Sequence, residues 1–229
     1  MSKWVKLFIA VLLLPTVFFV AVETGGAFAS VLKDFQTAVG LLAGAALYCV
    51  IHYGGYQFER MYVWGHETTH AIAAMLCGYR VHSITVHKDS GNVKMERFNT
   101  FVVLAPYFVP LYAILTGFLY LAIDFFTSPE PYRPAFVFVV GFLMAFHFVQ
   151  TFHTLWEADQ PDLQLAGGRI FSAVLIILCN AAVLVLILKL LFPQRVQLLE
   201  MLKDIAKGTW LVWKQVFQIL VHLFYSKAA

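Results

Sequence analysis

The sequence predicts an all-α polytopic membrane protein of about six transmembrane helices, with a β-hairpin after the third and an amphipathic helix at the end. Three observations carry that prediction. First, 61% of the 229 residues are hydrophobic and only 13% are charged, with a mean hydropathy of +0.77. An ordinary soluble domain is about half apolar and about a quarter charged. Second, the apolar residues fall in runs long enough to cross the hydrocarbon of a bilayer as helix. Third, one short stretch abandons the helical period and alternates apolar with polar residues.

The elements follow in order. Trp4–Val22 is apolar between Lys3/Lys6 and Glu23 and is long enough to span. A cleaved signal peptide is the rival reading, because Ala27-Phe28-Ala29 has the small-x-small form. Phe35–His52 reads as a second span, ended by Tyr53-Gly54-Gly55-Tyr56. Gln57–Cys77 reads as a third helix, stopped by Gly78 at the usual position just past a helix end. Its polar residues Glu59, Arg60, His66, Glu67, Thr69 and His70 suit the interior of a bundle and not a lipid-facing surface.

In Tyr79–Phe98, Val81, Ser83, Thr85 and His87 alternate with His82, Ile84, Val86 and Lys88; Asp89-Ser90-Gly91-Asn92 reads as a turn, and Val93–Arg97 returns. That is a β-hairpin, tolerated at membrane depth only against protein or a watery cavity. Phe101–Ile123 is a fourth span, and Pro106 and Pro110 should kink it or open it locally. Ala135–Leu155 is a fifth, and Gly167–Phe192 a sixth. From Arg195 onward, leucines and isoleucines recur at helical spacing with Glu200, Lys203, Asp204, Lys207 and Lys214 between them, an amphipathic interfacial pattern with Gly208 as a soft joint. The division is therefore a membrane domain over 1–193 and an amphipathic helix over 194–229.

The formal charge of +3 is too small to imply nucleic acid; the basic excess suits anionic lipid headgroups. Cys49, Cys77 and Cys179 stand alone in apolar runs. They make no disulfide framework and read as small buried hydrophobes.

The chemistry is in His66-Glu67-Thr68-Thr69-His70. On a helix, residues four apart share a face, so both imidazoles can reach one zinc ion. Glu67, beside the first histidine, can take a proton from a metal-activated water. A catalytic zinc site needs a third protein ligand, and there are two candidates, one at the entry to the last span and one within the fifth. Asp162 follows Pro161, which suits the first turn of a helix. His147 lies within the fifth span, on a polar stripe with Gln150, Thr151 and Thr154; its alternative role is a buried histidine bonded to a neighbouring helix. His66 is about nine residues into its helix, roughly 13 Å deep at 1.5 Å per residue. If every span crosses fully, His147 matches that depth; a re-entrant or broken segment at Pro161 would bring Asp162 instead.

Gly65-His66-Glu67-Thr68-Thr69-His70-Ala71, then Gly78-Tyr79-Arg80-Val81, the hairpin, and Leu104-Ala105-Pro106 opening a span together resemble the site-2 protease family of intramembrane zinc metalloproteases (M50 type). The resemblance runs from about Val63 to Phe171. It implies a three-helix catalytic core and one zinc per chain. His66 and His70 would be ligands, Glu67 the general base, and membrane-spanning proteins the substrates. It also implies an integral, multi-pass protein, expected in a bacterial or archaeal cell membrane. The chain departs from the family at the third ligand. Leu165-Ala166-Gly167-Gly168-Arg169 matches an L-D-G-G-R-like motif with Ala166 where the aspartate belongs. Asp162 lies one helical turn earlier, and Gln160-Pro161 loosely replaces an N-x-x-P element. Two rival readings are a non-enzymatic metal transporter and an inactive protease-like scaffold.

Overall fold

The computed structural model describes residues 2–87, 90–128, 130–157 and 160–226. Nine α-helices and one hairpin are present among them. Helix α1 runs Lys3–Val31, α2 Phe35–Tyr53 and α3 Glu59–Leu76; strands β1 Val81–Val86 and β2 Gly91–Met95 follow. Helix α4 is Thr100–Leu104, α5 Leu111–Phe126, α6 Arg133–Glu157, α7 Pro161–Ala166, α8 Arg169–Leu191 and α9 Leu198–Ser226.

Among the described residues, α1, α6 (with the turn before it) and α8 are long and apolar enough to cross a membrane. The α4–α5 pair is a fourth if taken as one span, bent by 79°. The bend falls where proline removes backbone donors: Ala105–Tyr107 is a single 3-10 turn around Pro106, and Pro110 restarts the helix. Two further segments of the expected six are less apolar or shorter. Helix α2 is 19 residues long, with Ala38–Tyr53 a shorter apolar helix among the described residues, and α3 carries the polar face already noted.

Helix α3 begins where Phe58 takes a left-handed φ of 53°. That conformation is costly for a bulky side chain; here it is held by aromatic packing on Tyr48, Tyr56, Phe142 and Phe146. The helix ends as a Schellman motif. Tyr79 N–H donates to Ala74 O at 2.9 Å and Gly78 N–H to Met75 O at 3.0 Å, with Gly78 at φ +76°.

The hairpin pairs antiparallel, Val86 opposite Gly91 and Val81 opposite Met95, with an irregularity between Val81 and Ser83. Gly91 and Asn92, expected in the turn, already belong to β2; Lys88 and Asp89, also given to the hairpin, lie outside the described residues. The base of the hairpin is sealed by Cys77, Tyr79, Val81 and Met95 packing on buried Ala73, Ala74, Val102 and Ala105.

The tightest seam joins α2 to α6. A Cβ on Gly44 would overlap the Phe138 carbonyl, and one on Gly141 the Leu41 carbonyl. Such close approach of backbones is how helices associate without a hydrophobic drive between them. Helix α1 lies on α8 through Ala10, Phe171 and Val174. Helix α9 is continuous through Gly208, so that glycine is not a joint. It leaves room for the Phe19 ring of α1, and Thr209 Oγ1 reaches Thr16 at 3.4 Å. Val196 and Met201 are buried in the same cluster as Val31 and Leu188, which ties the start of α9 to the main core.

Candidate metal centre

The two histidines of α3 point across the helix boundary to α7. His66 Nε2 lies 3.6 Å from Asp162 Oδ2, and His70 Nε2 lies 3.4 Å from the same oxygen. One ligand atom from each residue falls within 4.8 Å of the others. Two ligands about 2.1 Å from a tetrahedral ion stand about 3.4 Å apart, so the spacing suits a single small cation.

Local structure explains how Asp162 arrives. Pro161 occupies the first turn of α7, and the helix is only six residues long. Gly167 and Gly168 then adopt φ of +136° and +103°, values that only glycine takes without strain. The break separates α7 from α8, so Asp162 need not lie at the end of a full span. Ser172 Oγ and Gly168 N–H both bond Leu163 O, at 3.0 and 2.8 Å, and pin the break.

The neighbours orient the donors. His70 Nδ1 is 2.8 Å from Val102 O. A carbonyl only accepts, so Nδ1 carries the hydrogen and Nε2 presents its lone pair towards Asp162. Tyr107 is fully buried; its hydroxyl donates to Asp162 Oδ2 at 3.0 Å, and its ring stands edge-on to His66 at 5.2 Å. Gly65 lets the Tyr112 ring lie across α3 beside His66, since a Cβ would stand 2.8 Å from it. His66 Nδ1 is buried and has no partner among the described residues.

Glu67 is buried under the hairpin: a Cβ on Gly91 would collide with it, 2.7 Å from its Cδ and Oε1. Both Glu67 and Asp162 line a cavity of about 820 Å³ with His66 and His70. Among the described residues no Lys or Arg pairs with either carboxylate. Two largely buried carboxylates lining one cavity call for positive charge, and a divalent cation would supply it.

Gln150, Thr154, Gln57 and Gln160 form the polar wall of the cavity, and β2 contributes Gly91, Asn92, Val93 and Met95. Thr151, on the polar stripe expected of this helix, does not line the cavity; it is buried, and its hydroxyl has no partner among the described residues. His147, the alternative third ligand, is not in the group. Its Nε2 bonds Asn180 Oδ1 at 3.1 Å, while Asn180 Nδ2 donates to Tyr107 O at 2.7 Å. It therefore braces the residue that contacts Asp162. Tyr107, Val102 and Asn180 went unnoticed in the sequence. The one available signal was Tyr107 directly after the helix-breaking Pro106.

Comparison with known proteins gives one finding. Residues 38–200 match the family described as Peptidase M50B-like. Neither the curated proteins nor the solved structures hold a significant match.

Proposed function

The chain belongs to the M50B-like peptidase family, and from that premise we propose that it is an intramembrane zinc endopeptidase acting on membrane-spanning proteins. The observation that carries the reading is the convergence of His66 Nε2, His70 Nε2 and Asp162 Oδ2 on one point of the polar cavity beside Glu67. His66, His70 and Asp162 would hold the ion, one per chain. Bound there, zinc would supply Lewis-acid polarisation of a water and of the scissile carbonyl.

The chain's own residues do the rest. Glu67 takes the proton of the attacking water and returns it to the leaving amine. Val102 O holds His70 in the tautomer that leaves Nε2 free. Tyr107 fixes the rotamer of Asp162. Gln57, Gln150 and Thr154 give water a polar path into an otherwise apolar bundle. A substrate helix must unwind to expose its bonds. A two-stranded ribbon has free edge groups, and β2 lies along the cavity, placed to pair with such an unwound segment. The multi-pass arrangement and bilayer setting belong to this same reading.

Asp162 provides, one turn early, the carboxylate missing at Ala166, which favours the enzyme over an inactive scaffold. Cleavage of a co-expressed single-span substrate tests the proposal. Glu67→Gln should abolish cleavage, by about a hundredfold or more for loss of a general base, while expression and metal content stay at the level of the parent. Undiminished cleavage by this variant would refute the mechanism.

A further inference from the structure

Helix α1 precedes the part of the chain that matches the peptidase family, which begins at residue 38, yet its first turns reach the metal centre's supports. Lys6 Nζ donates to Ala166 O at 2.7 Å. Ala166 is the last residue of α7, fully buried, and α7 is the short helix that carries Asp162. The last carbonyls of a helix lack intrahelical donors, and a lysine can satisfy them. Gly167 makes the approach possible, since a Cβ there would collide with Lys6 Cδ and stand 3.1 Å from its Nζ. The ammonium also sits over the Phe171 ring at 5.6 Å from its centroid. Thr100 Oγ1 gives the same carbonyl a second, longer bond at 3.4 Å. Below this contact, Ala10 of α1 packs on Phe171 and Val174 of α8, with Ile9 and Leu13 against them.

We propose that α1 is part of the metal site, with Lys6 a positioning residue that clamps the C-terminus of α7 and so presents Asp162 to His66 and His70. A six-residue helix bounded by a proline and two positive-φ glycines has little stability of its own; something outside it must fix its angle. Lys6 does so from the far end, about one turn from Asp162 at 3.6 residues per turn. The inference rests on the reading of His66, His70 and Asp162 as metal ligands.

The test uses the full chain in detergent, with zinc affinity read by chelator competition and site geometry by the visible absorption of a cobalt(II)-substituted sample. Lys6→Met keeps the length of the side chain and removes the donor. It should weaken zinc about tenfold, the scale of outer-shell losses, and alter the cobalt spectrum. Lys6→Arg should stay close to the parent. Lys3→Met should be silent, since Lys3 only approaches Gly168, with 3.6 Å from its Cε to a Cβ built there. Parent-like zinc affinity in Lys6→Met would overturn the proposal alone. So would a Lys6→Met chain that fails to fold while Lys6→Arg folds and binds normally, which would assign the lysine to the fold. A parent protein that binds no zinc would instead bring down the metal reading, and this inference with it.

Discussion

The α2–α6 seam and the α3–α7 seam are opposite solutions to placing helices side by side. Between α2 and α6, Gly44 and Gly141 let backbones touch, and there is no room for another carbon. Between α3 and α7, polar side chains hold the helices apart around a cavity of about 820 Å³. The first seam has one way to pack where the glycines meet backbone. The second keeps Glu67, His66, His70 and Asp162 beside open space, and it is braced from outside by Tyr107, Val102 and Lys6. The contrast is between rigidity from close packing and geometry imposed by a ring of hydrogen bonds.

Three substitutions would break or sharpen that contrast. Gly44→Ala should be the most damaging. Its new methyl would overlap the Phe138 carbonyl, and backbone cannot give way as a side chain can. A loss of about 3 kcal/mol is expected, the upper part of the overpacking range, seen as a large drop in thermal midpoint in detergent. A midpoint unchanged from the parent would show that the seam is looser than described. Tyr107→Phe should leave the midpoint of the metal-free protein nearly unchanged and weaken zinc about tenfold, measured by chelator competition, because it removes only the donor to Asp162 Oδ2. A fold-wide loss with normal affinity would move Tyr107 from the site to the core. Gly25→Ala is the smallest change. Nothing lies within 4 Å of a Cβ there, so the same chemical step that is severe at Gly44 should be neutral or stabilising by up to about 1 kcal/mol.

The apolar spans and the hairpin were largely legible in the sequence, since both arise from local pattern. Apolar runs, alternation over Val81–Val86 and prolines at 106 and 110 act within a few residues of where they stand, whereas the meeting of Gly44 and Gly141 across α2 and α6 does not. The motif helix was legible for the same reason, with His66 and His70 one turn apart and Gly78 as its stop. Asp162 was harder. Its approach depends on Gly167 and Gly168 taking positive φ, which detaches α7 from α8; a count of full crossings pointed to His147 instead. Val102, Asn180 and Lys6 were illegible because each acts across a large sequence separation, and Tyr107 had only its place after Pro106 to mark it. Lys6 and Ala166 are 160 residues apart, and no local period reports such a contact.

Everything proposed for the site depends on one metal ion being held by the pair on α3 and the carboxylate on α7. Zinc stoichiometry of the purified protein in detergent, measured for the parent, Asp162→Ala and His147→Ala, tests it most directly. The expected result is about one zinc per chain in the parent and in His147→Ala, and loss of bound zinc in Asp162→Ala. Retention of zinc in Asp162→Ala together with its loss in His147→Ala would contradict it.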